Sequence, residues 1–199
     1  MKKYITTKAF EEHLASMDPE GIGIDLGANI GEVTAMMAAR LAKVFAFEPD
    51  PWTFERLKEN TAHLSNVEVI HAAVSTSDGE IEIYRHRLFG ADPLHGSVGT
   101  STLAGHKAVD AQRSIRVPKV DFIRFLEELG QPVNLIKMDI EGAEVELLEA
   151  LVESPALSRI ECMYVETHEH MLPDLTERTS LLRARFARIS KPVTDFDWV

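Results

Sequence analysis

The chain has 199 residues, a length that suits one domain with a sizeable hydrophobic core. Hydrophobic residues make up 45% and charged residues 27%, values that exclude collagen-like and disordered proteins. The formal net charge of -11 disfavours nucleic-acid binding, because an acidic surface repels phosphate backbones. We therefore expect one domain over residues 1–199 that binds no nucleic acid.

A single cysteine, Cys162, excludes an internal disulfide and suits a reducing compartment. No apolar run is long enough to cross a bilayer, and no apolar segment of signal-peptide length follows the basic N-terminus. These features predict a cytoplasmic protein with no membrane partner. A homodimer is left open.

The first part of the chain alternates between strands and helices. Thr7 is expected to cap a helix within residues 1–20, and apolar residues recur at helical spacing after each of the first two strands. Asp50 and Pro51 provide a cap and a first-turn proline for the second of these later helices. This order predicts a parallel sheet. Its expected strands are residues 23–26, 44–47, 67–70, 133–138 and 159–165.

The middle of the chain departs from this order. Residues 81–84 alternate between apolar and polar, and residues 114–117 are expected to pair with them as a small antiparallel addition. Between them, residues 86–113 show no clear periodicity and are rich in Gly, Ser and His. A loop of this length is uncommon in a compact domain, so we interpret it as a functional lid, with a polar mobile insert as the alternative.

The alternation then resumes. Helices are expected over residues 121–129 and 143–152, and Asp174 with Glu177 resembles a capping box that opens the last helix. Residues 192–199 are expected to add a final strand. The predicted fold class is therefore α/β, with a single doubly wound, mostly parallel sheet and a small antiparallel addition.

A glycine turn follows the first strand and opens the next helix. Gly27 lets the backbone turn sharply and lets a ligand approach closely, whereas Gly31 lets the helix pack tightly against the sheet. The N–H groups at the start of that helix favour an anionic group such as a carboxylate. The spacing differs from the G-x-G-x-x-G of dinucleotide binders, which disfavours the alternative of an NAD-dependent oxidoreductase. A tight turn without a ligand is the other alternative.

Glu48 lies at the end of the second strand, about twenty residues beyond the glycine turn. An acid at this place can accept two hydrogen bonds from ribose hydroxyls. Alternatively, it is a surface acid that stabilises the start of the next helix. Together, the turn and Glu48 predict a nucleoside ligand across the tips of the first two strands.

Four segments carry a resemblance to a known family. They are, in chain order, DLGANIG (25–31), FEP (47–49), HAAV (71–74) and IKMDIEGAE (136–144). The chain resembles the FkbM family of class I methyltransferases over about residues 21–165, and Lys137 to Gly142 is the most specific part. The resemblance implies a Rossmann-like methyltransferase that uses S-adenosylmethionine.

The resemblance also implies which residues contact this cofactor. The glycine turn would surround its methionyl part and Glu48 its ribose hydroxyls. Thr34 would support the carboxylate. Ala73 and Val74 would border the adenine, with simple loop packing as the alternative. The implied cofactor residues are Asp25, Gly27, Ala28, Asn29, Gly31, Thr34, Glu48, Pro49, Ala73, Val74 and Asp139.

Acidic side chains follow residues 133–138, at the edge where open α/β sheets bind ligands. Asp139 and Glu141 are candidates for cofactor and substrate contacts, but with Glu144 they could instead stabilise the start of the next helix. Lys137 is expected either to pair with a neighbouring acid or to bind substrate. The substrate candidates are Lys137, Glu141 and Ser101.

The strand at residues 159–165 leads to a second set of candidates. His168 could take a proton from a hydroxyl acceptor, because the pKa of free histidine lies near neutrality. Glu166 could orient His168 or act itself, and Asp139 is the other candidate base. His168, His170 and nearby acids could also bind a divalent metal, but two histidines on a loop are usually solvated, so no metal is predicted.

The reaction predicted from these residues is methyl transfer from S-adenosylmethionine to an oxygen of a small molecule, such as a sugar hydroxyl or a secondary metabolite. The protein would align the acceptor behind the methyl group and exclude water. The alternatives are a non-catalytic S-adenosylmethionine-binding module and an NAD-dependent oxidoreductase.

Overall fold

The computed structural model describes residues 8–198. Its strands are β1 (Ile22–Leu26), β2 (Lys43–Phe47), β3 (Val67–Ile70), β4 (Ala73–Ser75), β5 (Gly79–His86), β6 (Val109–Asp121), β7 (Val133–Met138), β8 (Ile160–Val165) and β9 (Val193–Asp195). Its α-helices are α1 (Lys8–Ser16), α2 (Glu32–Ala38), α3 (Pro51–Thr61), α4 (Pro93–Gly96), α5 (Phe122–Leu129), α6 (Glu144–Glu153) and α7 (Thr176–Phe186).

The main sheet contains six strands in the order β3-β2-β1-β7-β8-β9, and every pairing in it is parallel. The chain winds outward from β1 to β3 and then crosses back to β7, so the strand order reverses between β1 and β7. In doubly wound sheets, ligands bind beyond the carboxyl ends of the strands at such a reversal. The predicted α/β class is confirmed.

Helices cover both faces of this sheet, because successive strand residues point to opposite faces. On one face, Phe10 of α1 and Met37 of α2 pack with Leu135 and Tyr164. The helices α5, α6 and α7 cover the other face, where a larger apolar cluster includes Ile136. Each fully buried Leu, Ile or Phe in these clusters contributes about 1.5–3 kcal/mol of stability relative to an exposed one.

The antiparallel addition is also confirmed, and it is larger than predicted. The strands β5 and β6 pair antiparallel, and β4 joins the other edge of β6 in parallel. The strand β6 begins at Val109, whereas the sequence placed its start at Ser114. The strand β4 was missed because three residues are too few to show an alternating pattern.

Residues 87–108, the irregular part of the predicted lid, pack against the rest of the protein. The segment contains the one-turn helix α4, and its Phe89, Ser101 and His106 are buried. Ser101 exchanges two backbone hydrogen bonds with Tyr84 of β5. The segment is therefore held by specific contacts, although its sequence shows no periodicity.

Two predicted details near the chain ends are wrong. Asp174 does not cap the last helix: a 3-10 turn occupies Pro173–Leu175, and α7 begins after Leu175 without a side-chain cap. The hydroxyl of Thr176 instead donates to the carbonyl of Pro173, 2.7 Å away. The final strand covers only Val193–Asp195 rather than residues 192–199.

The predicted cap at Thr7 lies outside the described residues. No helix within residues 8–198 combines the length and the apolar composition that a bilayer crossing requires.

Candidate active site

A cleft lies beyond the carboxyl ends of β1, β2 and β7, where the strand order reverses. Residues 97–100 and Thr102 of the predicted lid form part of its wall, and Ile83 and Ala143 also line it. The predicted site residues that line the cleft are Gly27, Asn29, Glu48, Pro49, Ala73, Val74, Asp139 and Glu141. The residues predicted from the first three strands and from β7 are thus brought to one place.

Other predicted cofactor residues lie beneath this surface. Asp25 and Thr34 are fully buried, and the Thr34 hydroxyl donates to Asp25 Oδ2 over 2.6 Å. Ala28 packs against Ala46 and Leu57. These residues support the wall of the cleft from behind. The role predicted for Thr34 needs correction, because its buried hydroxyl donates to Asp25 rather than facing the carboxylate of a cofactor in the cleft.

The two glycines of the turn are required by contacts within the chain. Gly27 has a φ of +76°, and a Cβ there would lie 1.8 Å from the carbonyl oxygen of Asp139. Gly31 has a φ of +93°, and a Cβ there would lie 2.8 Å from Leu57 Cδ1 of α3. The sharp turn predicted at Gly27 is confirmed, and the structure adds that Gly27 allows close approach of the end of β7. The reason predicted for Gly31 needs correction, because Gly31 packs against α3 rather than against the sheet.

Lys137 takes the first of its two predicted alternatives and pairs with acids. Its Nζ donates to the carbonyl of Gly27 over 2.8 Å and lies 3.3 Å from Asp25 Oδ1 and 3.7 Å from Asp139 Oδ2. Burial alone would lower the pKa of Lys137, but these two acids outweigh it and raise the pKa. Because the residue is only 2% exposed, it is not available to contact a substrate.

Glu48 is a buried carboxylate held by backbone donors. Its Oε2 accepts from the N–H of Asn29 over 3.0 Å, and its Oε1 accepts from the N–H of Asp50 over 2.9 Å. Burial, with a further contribution from the charge of Asp50, raises the pKa of Glu48 to about 8. Hydrogen-bond donors on a ligand in the cleft would therefore stabilise the ionised form.

The sequence did not reveal the contacts that join the predicted lid to this side of the cleft. Asp50 caps α3 as predicted, but it also forms a two-pronged ion pair with Arg85, with N–O distances of 2.6 and 3.1 Å. The Arg85 guanidinium lies 4.0 Å from the centre of the Phe89 ring, which packs edge-on against Trp52. No local pattern links Asp50 to Arg85, so the sequence offered no signal for this pair.

A second group of polar side chains lies at the ends of β7 and β8. His168 Nε2 is 3.7 Å from Asp139 Oδ1, 3.3 Å from Glu141 Oε2 and 3.7 Å from Glu166 Oε1. We refer to Asp139, Glu141, Glu166 and His168 as the acid–histidine cluster. Asp139 and Glu141 line the cleft, while the buried ring of His168 lies behind them.

Glu144 braces this cluster rather than capping α6. Its Oε1 accepts from the N–H of Ile140 and its Oε2 from the N–H of Gly142, each over 2.8 Å. Its Oε1 also lies 3.1 Å from His168 Nδ1. Glu144 therefore fixes both the turn that carries Glu141 and the orientation of the His168 ring. The residue at the N-cap position of α6 is Ala143, which makes no side-chain cap.

The charges within the cluster shift its pKa values. Burial alone would lower the pKa of His168, but the hydrogen bond with Glu144 and the surrounding acids raise it to about 10. Burial raises the pKa of Asp139 to about 7, although Lys137 opposes the shift. Burial also raises the pKa of Glu166. His168 is therefore protonated while no other cation lies among the acids, which disfavours it as a free base in that state.

The predicted substrate contact Ser101 is bonded within the protein. Its hydroxyl donates to the backbone carbonyl of Glu141 and accepts from the N–H of Leu103. Glu141 has a φ of +55°, a left-handed conformation that is unfavourable for this residue type. His106 Nε2 lies 3.3 Å from Glu141 Oε2. The sequence placed His106 in the predicted lid but gave no reason to associate it with Glu141.

His170, the other histidine considered as a metal ligand, lies outside the cluster. It is exposed, and its ring centre is 6.0 Å from that of His168.

A doubly wound sheet with a tight glycine turn after β1 and an acid after β2 is the arrangement of a nucleoside- or nucleotide-binding α/β protein. Comparison with protein families narrows this class. Residues 25–188 match the Methyltransferase FkbM domain. The chain therefore belongs to the FkbM methyltransferase family. This match confirms the predicted class of enzyme and does not support the NAD-dependent alternative.

Two relatives illustrate the range of this similarity. The chain is 31% identical over 182 residues to the hexuronic acid methyltransferase AglP of Haloferax volcanii, covering 88% of this chain and 67% of the relative. It is 26% identical over 176 residues to the 2-O-methyltransferase NoeI of Sinorhizobium fredii, covering 77% of this chain and 66% of the relative. The aligned chain thus spans about two thirds of the length of these relatives.

Among solved structures, an rRNA methylase from Streptococcus thermophilus aligns with a TM-score of 0.49 and 11% identity, covering 96% of this chain and 82% of that chain.

Proposed function

We propose that the protein transfers a methyl group from S-adenosylmethionine to a hydroxyl oxygen of a small molecule, most simply a sugar. One observation carries the proposal: a buried carboxylate suited to ribose hydroxyls, Glu48, lines the same cleft as Asp139 and Glu141 of the acid–histidine cluster. The two halves that methyl transfer requires, a nucleoside site and a site for an acceptor hydroxyl, thus share one space.

The residues of the cofactor half fit the proposed ligand. Within the described chain, the hydrogen-bond donors to Glu48 are backbone N–H groups, and no cationic side chain caps it. Such a carboxylate can accept hydrogen bonds from two ribose hydroxyls. Ala73 and Val74 of β4 provide an apolar wall for an adenine ring. When bound, S-adenosylmethionine supplies a methyl group on a sulfonium, which is already a good leaving group.

The acceptor half would be provided by the acid–histidine cluster. Asp139 and Glu141 line the cleft and can accept a hydrogen bond from a hydroxyl, which aligns its oxygen for attack. The acids of the cluster are also the groups to which the hydroxyl proton can pass. His168 lies between these acids and holds them in place. The names of the two relatives support this choice of acceptor, one through a sugar acid and the other through an oxygen position.

We also propose that residues 86–113 act as a lid. Residues 97–100 and Thr102 line the cleft, and the hydroxyl of Ser101 is bonded to the turn that carries Glu141. A segment held at both halves of the cleft can exclude water when cofactor and acceptor are bound. We further propose that the chain forms one domain, that the protein is cytoplasmic and that its partner is a small molecule.

The test of the cofactor half is calorimetric titration with S-adenosylhomocysteine. We expect Glu48→Gln to weaken binding about 30-fold, because hydrogen bonds to a charged group contribute about 1.5–3 kcal/mol. Glu68→Gln is the matched control, since Glu68 is an exposed acid on the neighbouring strand β3. Equal affinity of the wild type and Glu48→Gln would remove the basis of the proposal.

The test of the reaction is transfer of a labelled methyl group to a panel of sugars, uronic acid glycosides and hydroxylated metabolites. We expect an O-methylated product, identified by mass spectrometry. Binding of S-adenosylhomocysteine without transfer to any acceptor would instead support a non-catalytic binding module.

A further inference from the structure

The acid–histidine cluster has the composition and spacing of a metal site. We propose that it binds a divalent cation, ligated by Asp139 Oδ1, Glu141 Oε2 and His168 Nε2, at the acceptor end of the cleft. From the sequence, His168 and nearby acids were considered as metal ligands, but no metal was predicted because loop histidines are usually solvated. The catalytic meaning of the site rests on the proposed methyl transfer, whereas cation binding itself can be measured without it.

The spacing of the three side chains suits a single cation. One ligand atom from each of the three residues lies within 4.8 Å of the other two, and His168 Nε2 is 3.3 Å from Glu141 Oε2 and 3.7 Å from Asp139 Oδ1. Two ligands that each lie about 2.1 Å from a six-coordinate ion are about 3–4.2 Å apart. The two separations from His168 Nε2 fall in this range, so a cation needs little movement of the histidine relative to either acid.

The hydrogen-bond partner of the histidine also fits a metal site. Metal-binding histidines usually donate their other ring nitrogen to a carboxylate, which orients the ring and fixes the tautomer. His168 Nδ1 lies 3.1 Å from Glu144 Oε1, and Glu144 is itself held by two backbone N–H groups. When the Nδ1–H group donates to Glu144, Nε2 carries the free lone pair of the ring and directs it towards Asp139, Glu141 and Glu166.

Asp139 also has a buried oxygen atom that lacks a hydrogen-bond donor within the described chain. Asp139 is only 8% exposed, and its Oδ1 accepts no hydrogen bond from any residue in the described range 8–198. The two oxygens of this carboxylate differ, because Oδ2 faces Lys137 whereas Oδ1 faces His168. His168 Nε2 lies 3.7 Å from Oδ1, beyond hydrogen-bond distance, so this buried oxygen has no hydrogen-bond donor among the residues that the structure describes, and a cation at this place would remove the resulting cost in stability.

His106 adds a second buried histidine beside the proposed cation. The residue is 3% exposed, and its Nε2 lies 3.3 Å from Glu141 Oε2, close enough to pair with this carboxylate. The predicted lid would then contribute to the outer shell of the site.

The donor set and position indicate what the cation would do. Two carboxylates and one imidazole suit Mn²⁺ and related divalent ions, and three protein ligands leave positions for other groups. Asp139 and Glu141 line the cleft, so these positions face the acceptor half. There the cation would take the acceptor hydroxyl as a ligand and polarise its O–H bond.

The experiment is a titration of chelator-treated protein with Mn²⁺, followed by the electron paramagnetic resonance signal of the free ion. We expect one tightly bound Mn²⁺ per chain in the wild type. The substitutions His168→Ala and Glu141→Gln should weaken binding at least tenfold. His170→Ala is the matched control, because His170 is the neighbouring exposed histidine outside the cluster.

Thermal unfolding of each variant shows whether it folds, and Glu141→Gln provides a partly exposed position if His168→Ala does not. Absence of stoichiometric Mn²⁺ in the wild type, or equal affinity in wild type and Glu141→Gln, would overturn the proposal.

Titration with S-adenosylhomocysteine in the presence of chelator separates this result from the proposed function. Binding of S-adenosylhomocysteine without Mn²⁺ binding rejects the cation alone. Mn²⁺ binding without S-adenosylhomocysteine binding supports the cation site and rejects the proposed methyl transfer in this cleft.

Discussion

The two halves of the cleft are built in different ways. The cofactor half comes mainly from one stretch of chain, residues 25–50, in which backbone N–H groups hold Glu48. The acceptor half joins side chains from separate segments: Glu141 follows β7, His168 follows β8 and His106 lies between β5 and β6. Backbone geometry therefore fixes the first half, and mutual attraction of charged side chains fixes the second. We expect substitutions in the first half to change affinity and those in the second to change catalysis or folding.

The largest expected effect concerns Asp139. Asp139→Asn keeps the shape of the side chain but removes the charge that faces Lys137 and His168. We expect kcat to fall about 10³-fold, since positioned proton-transfer groups contribute about 10²–10⁴-fold. The affinity for S-adenosylhomocysteine should change less than about threefold. The measurements are steady-state kinetics and calorimetry.

Asp92→Asn is the control for this variant, because Asp92 is an exposed acid on the predicted lid that pairs only with His95 among the described ion pairs. A loss of S-adenosylhomocysteine affinity as large as the loss of kcat would show that the two halves do not act separately.

The second effect is on stability and concerns Glu144. Glu144→Ala removes the acceptor of two backbone N–H groups and leaves His168 without its carboxylate partner. We expect the free energy of unfolding to fall about 3 kcal/mol, as for other buried charged partners. Denaturant unfolding measures this change.

Glu146→Ala is the matched substitution on the same helix, where the side chain is exposed, and it should cost less than about 0.5 kcal/mol. Similar losses for both variants would mean that Glu144 does not brace the cluster.

The same contrast explains how much the sequence could predict. The alternation of apolar runs and helical patterns predicts the parallel sheet, and the glycine turn with Glu48 predicts the cofactor half, because all these signals lie within short stretches of chain. The pairing of Asp50 with Arg85 and of Glu144 with His168 depends on how distant segments meet. No spacing rule connects such residues, so the sequence could only name the residues of the acceptor half as candidates.

Burial was the other property that the sequence did not show. From the sequence, Lys137 was expected either to pair with a neighbouring acid or to bind substrate, and the family resemblance implied that Thr34 supports the carboxylate of the cofactor. In the structure they satisfy Asp25 beneath the cleft.

The third effect is a pH dependence of nucleoside binding that arises from Glu48. Burial raises its pKa to about 8, so the free protein holds this carboxyl mostly protonated below pH 8. Ribose hydroxyls donate to the ionised form, so binding must release that proton below pH 8 and becomes weaker as the pH falls. We expect the affinity for adenosine to be about 25-fold lower at pH 6.5 than at pH 8.5, the ratio of the ionised fractions of Glu48 at the two pH values.

Adenosine is the suitable probe, because it carries no group that titrates in this range. Glu48→Gln should bind adenosine weakly but with little change between the two pH values. An equally steep pH dependence in Glu48→Gln would assign the titration to another group.

The smallest expected effect compares two serines of the predicted lid. Ser101 bonds to the carbonyl of Glu141 in the acceptor half, whereas Ser97 lies 3.3 Å from Asn29 Oδ1 in the cofactor half. Each hydrogen bond contributes about 1 kcal/mol, or about fivefold in an equilibrium constant. Ser101→Ala should therefore raise the KM for the acceptor about fivefold and leave S-adenosylhomocysteine affinity unchanged. Ser97→Ala should do the reverse.

The backbone pairing of Ser101 with Tyr84 does not involve the serine hydroxyl, so both alanine variants keep the segment in place. This makes the pair a sensitive test of whether one lid serves two separate sites. If both variants change the same parameter, the predicted lid acts on a single site. The two halves of the cleft, although built differently, would then not bind cofactor and acceptor separately.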